Sequence, residues 1–145
     1  MKIVDWNEYT KLLNKLSYDV RLHSFDEVVA IGRGGCIIAA YLASKLGLPT
    51  FNPVFVRHVG RGENLKIEAH KIGDLKSVRG NVLVVDDWLC EGRAMNYVLK
   101  LLPKETSITT MVMYNRKGSE FKPDFVGAYL EEKEREIMFP YDPIG

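Results

Sequence analysis

Apolar residues along the chain follow two patterns, one typical of amphipathic helices and one typical of buried strands. Asp5, with Glu8 three residues later, has the spacing of a capping box, and apolar residues then recur at helical intervals over 6–20. Unbroken apolar runs at 28–31 and 82–85 predict short strands that are buried on both faces. The pattern therefore predicts helices packed on both sides of a sheet.

The rest of the chain continues the alternation of strands and helices. The further predicted elements are a helix over 36–46 ended by Gly47 and Pro49, strands over 51–56, 65–70, 107–114 and 125–130, and a helix that follows a loop at 88–92 and runs through Leu102. This order predicts a single α/β domain over 1–145 with a mostly parallel sheet flanked by helices. Ligands of such sheets bind beyond the carboxyl ends of the strands, so we expect the chemistry there.

Composition and charge narrow the classes of function. The 145 residues suit one domain, and 20 Lys and Arg against 19 Asp and Glu give a net charge of +1, which favours no nucleic-acid-binding face. No apolar run approaches the roughly 18 residues of a membrane-spanning helix. Two cysteines, Cys36 and Cys90, cannot build a disulfide framework. We therefore expect a cytoplasmic protein with reduced thiols that binds neither nucleic acid nor a membrane.

The first candidate site is Gly32-Arg33-Gly34-Gly35, which comes directly after a buried strand. A glycine-rich turn at the start of a helix exposes backbone N–H groups, the helix dipole adds partial positive charge, and Arg33 adds a formal cation. Together these groups suit a phosphate or a pyrophosphate. The alternative is a tight turn whose glycines satisfy only steric needs, and the sequence leaves both interpretations open.

The second candidate site is Asp86-Asp87, which follows the buried run at 82–85. Burying a carboxylate is costly unless it is paired, so two adjacent carboxylates at a strand end indicate a ligand. They can accept hydrogen bonds from hydroxyl groups or hold Mg²⁺ through water. The alternative is a helix N-cap or an Asx turn, although one cap needs only one carboxylate.

Together these segments resemble the type I phosphoribosyltransferases, most closely the xanthine/hypoxanthine-guanine branch in its short prokaryotic form. The signature of that family is a buried strand, two acidic residues and a short loop before a helix, which here reads over 82–94. The pyrophosphate loop of the family resembles 32–35, and segments around its base pocket resemble 121–124 and 137–142. The resemblance covers nearly the whole chain and implies the type I phosphoribosyltransferase fold.

The resemblance also implies a reaction, in which a purine nitrogen attacks C1′ of Mg²⁺-bound phosphoribosyl pyrophosphate (PRPP) and pyrophosphate leaves. Arg33 and the N–H groups of Gly34 and Gly35 would receive the pyrophosphate. Asp86 and Asp87 would hold the ribose hydroxyls and the metal, and these two residues with Arg33 are the expected catalytic residues. The 5′-phosphate would lie in the loop of Trp88, Leu89, Cys90, Glu91, Gly92, Arg93 and Ala94.

A small hood and an assembly of several copies are further implications of the resemblance. The hood would be formed by about 57–80 together with the C-terminal segment 121–145. It would exclude water, because a free oxocarbenium ion hydrolyses. Members of the family are usually dimers or tetramers, so we expect a homodimer or a homotetramer.

The expected phosphate loop departs from the family pattern at three positions. Cys90 stands where the branch has an acidic residue, while Glu91 and Ala94 stand where hydroxyl residues usually donate to the phosphate. A carboxylate about 4 Å from a phosphate would be repelled by roughly 4 kcal/mol per charge pair at an effective dielectric constant near 20. Glu91 therefore points outward, pairs with Arg93, or closes the site to a 5′-phosphate.

The resemblance places the base pocket at Arg116, Glu136, Ile137 and Tyr141. Arg116 aligns with a lysine that contacts the purine oxygen, and Glu136 aligns best with an aromatic residue that stacks on the purine. Tyr141 is the aromatic residue of a Pro-aromatic-acid segment, and packing against the core is its alternative role. Trp88 either supplies a new stacking surface or fills space.

Three functions follow from these residues. The leading one is transfer of a phosphoribosyl group from Mg²⁺–PRPP to a purine-like base. The second is a binding protein that senses PRPP or a nucleotide and has lost the transferase chemistry. The third is an enzyme with an altered substrate, for which Glu91 and Trp88 would be the specificity elements. The 32–35 loop and the 86–87 pair favour the transferase, whereas the departures favour the other two.

Overall fold

The computed structural model of the chain describes residues 1–143, which contain eight strands and three α-helices. These are β1 (Lys2–Ile3), α1 (Trp6–Asp19), β2 (Glu27–Ile31), α2 (Gly32–Leu46), β3 (Asn52–Val59), β4 (Lys66–Ile72), β5 (Asn81–Leu89), α3 (Arg93–Leu101), β6 (Ser107–Arg116), β7 (Phe125–Leu130) and β8 (Ile137–Met138). Short 3₁₀ turns at Gly62–Asn64 and Leu75–Ser77 flank β4.

Six of the strands form one sheet in the order β4-β3-β2-β5-β6-β7. All neighbouring pairs are parallel except β3 and β4, which form an antiparallel pair at one edge. The two shortest strands, β1 and β8, pair in parallel as a separate two-stranded sheet. The structure confirms the predicted α/β fold with a mostly parallel sheet flanked by helices.

The central strands are apolar throughout because helices cover both faces of the sheet. Alternate residues of β2 separate into two cores: Val28 and Ala30 pack with α1 and α2, whereas Val29 and Ile31 pack on the face that α3 covers. Each face removes its side chains from water, so an unbroken apolar run is the stable sequence for such a strand. The carboxyl ends of β2 and β5 therefore lie side by side at one edge of a rigid platform.

The helix boundaries follow from local chemistry. Asp5 caps α1, because its Oδ1 accepts a hydrogen bond of 2.8 Å from the N–H of Glu8, as predicted. The side chain of Glu8 does not complete the capping box and pairs instead with Lys2 at 2.8 Å. Gly47 ends α2 with a φ of 73°, the left-handed conformation that glycine adopts without strain.

Several predicted boundaries differ from the structure, and two of these differences lie at the candidate sites. α2 begins at Gly32 instead of Cys36, so the glycine-rich segment is the first turn of the helix. β5 continues to Leu89, because Trp88 and Leu89 still pair with β6 opposite Tyr114 and Asn115. The acidic pair and the next two residues are thus held in the sheet rather than in a loop. β1 and β8 were not predicted, since two residues carry no periodic signal.

The segments expected to form a hood contribute strands to the main sheet and to the small β1–β8 sheet. The 57–80 segment holds the end of β3 and the edge strand β4, and the C-terminal segment from 121 holds β7 and β8. Positions 144 and 145 of the predicted hood lie outside the described residues. Exclusion of water by this hood stays a prediction. Within residues 1–143, no helix combines the length and the apolar character needed to cross a membrane.

Candidate functional site

Two neighbouring carboxylates stand at the end of β5, where both are partly buried. Oδ1 of Asp86 accepts a hydrogen bond of 2.8 Å from the N–H of Asp87, and Oδ2 of Asp87 accepts one of 2.6 Å from the hydroxyl of Tyr141. Among the described residues, no lysine or arginine forms an ion pair with either carboxylate. The pair is therefore a concentration of negative charge that a ligand hydroxyl or a cation would stabilise.

The electrostatics of the acidic pair follow from this burial. Burial, with a smaller contribution from the neighbouring Asp87 carboxylate, raises the pKa of Asp86 well above its ordinary value. Burial also raises the pKa of Asp87, although the hydrogen bond from Tyr141 acts in the opposite direction. Perturbed carboxyl groups in a cleft are typical of functional sites.

The first turn of α2 approaches the acidic pair so closely that only glycine fits there. A Cβ on Gly34 would overlap the carboxylate of Asp87, and a Cβ on Gly35 would lie 2.9 Å from the carbonyl oxygen of Val85. No side chain caps this helix, so its first N–H groups have no side-chain acceptor. The steric role of the glycines and a role in anion binding are therefore compatible.

The α2 cleft is the space between this helix start and the acidic pair. Its volume is about 410 Å³, and its lining includes Arg33, Asp86, Asp87 and Tyr141. Arg33 is exposed, so its guanidinium can reach a ligand in the cleft. Helix dipole, free N–H groups and a cation all favour an anion in this position.

The α3 cleft is a second space, which shares Asp86 with the α2 cleft and is lined by the start of α3. Its volume is about 360 Å³, and it is lined by His58, Asp86 and all of the residues from Trp88 to Met95. Gly92 has a φ of 92° and precedes α3 without providing a side-chain cap. Gly92 also lies so close to Phe121 that a Cβ would be 2.6 Å from the Cβ of that ring side chain. Asp86 lines both clefts, so two uncapped helix starts flank one acidic pair.

Glu91 is held by two arginines at the mouth of the α3 cleft. Its Oε2 lies 2.9 Å from Nη2 of Arg93, and its Oε1 lies 3.4 Å from Nη1 of Arg135. Of the three predicted outcomes for Glu91, the structure shows the pairing with Arg93. Sequence reasoning missed Arg135, because it lies 44 positions after Glu91 and no local spacing links the two residues.

The four residues expected in the base pocket do not share one cavity. Glu136 and Ile137 line a shallow groove of about 390 Å³ together with Trp88 and Arg135, while Tyr141 lines the α2 cleft. Arg116 lines a separate groove of about 410 Å³ with Arg93, Arg135 and others. The base pocket stays a prediction, and the groove at Glu136 and Trp88 is the part that borders the acidic strand.

Arg116 is almost fully buried and bonds to backbone carbonyl groups from three places in the chain. Its Nε donates to the carbonyl oxygen of Cys90 at 3.0 Å, and its Nη1 donates to those of Lys117 and Glu132, each at 3.2 Å. The guanidinium therefore ties the 88–94 segment to the C-terminal segment. Its expected contact with a base stays a prediction.

Comparison with known proteins finds similarity over nearly the whole chain. A family model described as "Phosphoribosyl transferase domain" matches residues 2–142. A xanthine-guanine phosphoribosyltransferase of Idiomarina loihiensis is 26% identical over 145 residues, which are 96% of this chain and 85% of that protein. The enzyme of the same name from Chromohalobacter salexigens is 26% identical over 147 residues, covering 96% of this chain and 82% of that protein.

Solved structures share the fold over almost the entire chain. A purine phosphoribosyltransferase from Pyrococcus horikoshii superposes with a TM-score of 0.80 at 24% identity, covering 99% of this chain and 95% of that one. The xanthine-guanine-hypoxanthine phosphoribosyltransferase of Helicobacter pylori gives 0.79 at 17% identity, with 95% and 91% covered. A hypothetical protein from Neisseria gonorrhoeae with bound ppGpp gives 0.77 at 21% identity, with 99% and 90% covered.

Proposed function

Since this chain belongs to the phosphoribosyltransferase family, we propose that it transfers a phosphoribosyl group from PRPP to a purine-like base and releases pyrophosphate. The observation that carries the proposal is the pair of uncapped helix starts on either side of one unpaired acidic pair. PRPP has a matching layout, with an anionic group at each end of a ribose that carries hydroxyl groups. The two clefts share Asp86 as a common wall, as one ligand spanning both would require.

The leaving pyrophosphate belongs in the α2 cleft. Backbone N–H groups of Gly34 and Gly35 and the guanidinium of Arg33 supply positive charge there, and that charge is fixed before the reaction begins. Because negative charge develops on the pyrophosphate as the C1′–O bond breaks, these groups stabilise the transition state more than the ground state. The attacking purine nitrogen forms the new bond to C1′ as the pyrophosphate leaves.

The ribose belongs between the clefts, over Asp86 and Asp87. The unpaired, partly buried carboxylates suit hydrogen bonds from the 2′- and 3′-hydroxyl groups, and their negative charge suits an oxocarbenium-like transition state. They also suit Mg²⁺, a cation that takes one or two protein carboxylates and completes its shell with water and phosphate oxygens. Mg²⁺ bound there would offset the charge of the pyrophosphate.

The 5′-phosphate belongs in the α3 cleft, where the N-terminal turn of α3 supplies N–H donors. Arg93 and Arg135 hold Glu91 at the mouth of this cleft, so the repulsion expected between that carboxylate and a phosphate is partly neutralised. The base then lies toward Trp88, whose ring lines both the α3 cleft and the groove at Glu136. We also propose a cytoplasmic location and a homodimer or homotetramer, which size-exclusion chromatography with light scattering would test.

Calorimetric titration with PRPP, with and without Mg²⁺, tests the proposal directly. We expect Mg²⁺-dependent binding, followed by pyrophosphate release when a screen of purine bases is added. Replacing both Asp86 and Asp87 with Asn should weaken binding by a factor of about 30 or more, because the hydroxyl and metal ligands lose their charge. Asp19→Asn, at the end of α1, is the matched control.

Absence of PRPP binding by the wild-type protein would contradict the proposal. Equal PRPP binding by the wild-type protein and the doubly substituted variant would contradict the role of the acidic pair. PRPP would still stand as the ligand.

A second candidate function is a binding protein for PRPP or a nucleotide that lacks transfer activity. The observation that favours it is the chemistry around the base: Cys90 stands in the loop where the branch has an acid, and Glu136 stands where it has an aromatic ring. The same titration separates the candidates, because a sensor binds PRPP or a nucleotide and releases no pyrophosphate with any base.

A further inference from the structure

The hydroxyl of Tyr141 makes a hydrogen bond that reaches across the fold to the acidic pair. It donates to Oδ2 of Asp87 over 2.6 Å, although the two residues are 54 positions apart in the chain. We propose that Tyr141 is a positioning residue for Asp87, acting on the PRPP side of the reaction, and not a contact for the base. The inference rests on the proposed function, because Asp87 is assigned there to the ribose.

The ring of Tyr141 is held in place by other aromatic rings. It stacks on Phe139 with centroids 5.3 Å apart and planes 3° from parallel, and it meets Tyr9 edge-on at 5.6 Å. The ring centroid of Trp6 lies 6.3 Å from that of Tyr141. A ring confined by three neighbours presents its hydroxyl at a fixed point, so the hydrogen bond selects one orientation of the Asp87 carboxylate.

The first turn of α2 also confines this carboxylate, close to the oxygen that Tyr141 bonds. A Cβ at Gly34 would overlap the carboxylate and would also lie 2.8 Å from the Tyr141 hydroxyl oxygen. Asp87 is therefore enclosed between a helix start and a tyrosine, and its Oδ2 is bonded to the Tyr141 hydroxyl. A side chain at position 34 would therefore displace both the Asp87 carboxylate and the Tyr141 hydroxyl, so the hydrogen bond between them requires glycine at that position.

The location of Tyr141 separates this role from a base contact. Its hydroxyl and ring border the α2 cleft with Arg33 and Asp87, whereas Glu136 and Ile137 border the groove at Trp88. A residue that acts through Asp87 should affect the use of PRPP. A residue that touches the base should affect the use of the base.

Steady-state kinetics and PRPP calorimetry on Tyr141→Phe test the inference, because this change removes only the hydroxyl. We expect kcat/KM for PRPP to fall by about 10- to 100-fold and PRPP binding to weaken, with the KM for the base unchanged. Tyr114→Phe is the matched control: its ring contacts Phe139 in the same cluster, and its buried hydroxyl has no hydrogen-bond partner among the described residues.

Urea unfolding supplies a measurement that does not depend on activity. Tyr141→Phe should lower the unfolding midpoint of the wild-type protein, because a hydrogen bond to a carboxylate is lost. In an Asp87→Ala background the same change should have little effect, since the hydroxyl then has no acceptor. Additive effects of the two substitutions would overturn the coupling.

The remaining outcomes distinguish the inference from the proposed function. If the wild-type protein binds PRPP and Tyr141→Phe behaves like the wild type, or changes only the KM for the base, the positioning role is overturned and the proposed function stands. If the wild-type protein neither binds PRPP nor transfers, the proposed function is overturned, and the positioning role with it.

Discussion

Glu91 brings a negative charge to the loop just before α3, where the expected phosphate would meet Arg93 and the N–H groups of the helix start. Its carboxylate is held by Arg93 and Arg135, and all three side chains are substantially exposed. Exposed ion pairs contribute little to stability, so the arrangement can rearrange when a ligand arrives. Glu91 is therefore an internal competitor for the two arginines that a phosphate would use.

We predict that Glu91→Gln strengthens PRPP binding by about fivefold, corresponding to roughly 1 kcal/mol for releasing an exposed ion pair. The two arginines then face the 5′-phosphate without competition. Isothermal titration of both proteins with PRPP measures the change.

Glu131→Gln is the control for Glu91→Gln, because Glu131 also forms an exposed ion pair, with Lys117 at 2.7 Å, but does not line the α3 cleft. Weaker PRPP binding by Glu91→Gln would mean that the carboxylate contacts the ligand directly.

At the scale of single residues, the sequence located the chemical groups but not their partners. The sequence identifies the acidic pair and the glycine-rich segment because both directly follow buried strands. These residues are Asp86, Asp87 and the glycines at 32–35. The partners come from distant parts of the chain: Arg135 is 44 positions from Glu91, and Tyr141 is 54 positions from Asp87. Local spacing contains no information about such contacts, since they arise only when the C-terminal segment folds back.

At the scale of elements, the close approach of α2 to β5 sets the width of the α2 cleft. Gly35 lies in the first turn of α2, where a Cβ would be 2.9 Å from the backbone oxygen of Val85 and 3.3 Å from the carbonyl carbon of Ala30. Backbone atoms in the middle of a sheet cannot move aside. The helix can sit this close to the sheet only with glycine at that position.

We predict that Gly35→Ala destabilises the protein by about 1–3 kcal/mol, the usual cost of overpacking a rigid contact. Helix propensity favours alanine over glycine by about 1 kcal/mol, so the two effects oppose each other. Urea unfolding decides between them. A rise in the unfolding midpoint would mean that helix propensity outweighs the contact with Val85.

The elements themselves were largely predictable, because long periodic segments identify helices and unbroken apolar runs identify buried strands. The extension of β5 through Trp88 and Leu89 was not, since pairing with β6 and not local preference keeps those residues extended. The β1–β8 pair escaped prediction for a similar reason. Its stability depends on a partner that is distant in sequence.

At the scale of the whole molecule, the acidic pair makes stability depend on pH. Burial raises the pKa of Asp86 above its ordinary value of about 3.9, so the folded state binds more protons than the unfolded state between that value and the raised one. The stability present below the ordinary pKa is therefore lost as the pH rises through this window. Without a ligand, the site costs stability at neutral pH.

We predict that Asp86→Asn is more stable than the wild-type protein at pH 7, because the amide avoids a buried, unpaired charge. The difference should shrink as the pH falls toward the ordinary carboxyl pKa of about 3.9, because the raised pKa means that the wild-type carboxyl group has taken up its proton before that point. Urea unfolding of both proteins across this range, with a chelator present, measures it. A wild-type protein that gains stability relative to the variant between pH 5 and pH 7 would contradict the prediction.

The order of elements along the chain gives the C-terminal segment a role during synthesis. All six strands of the main sheet are complete once Leu130 has been made, whereas Tyr141 is translated later. At the usual rate of roughly 5–20 residues per second, about one second separates the two events. The residue that orients the Asp87 carboxylate is thus made after every strand of the main sheet, so the hydrogen bond between Tyr141 and Asp87 depends on a segment that the sheet itself does not contain.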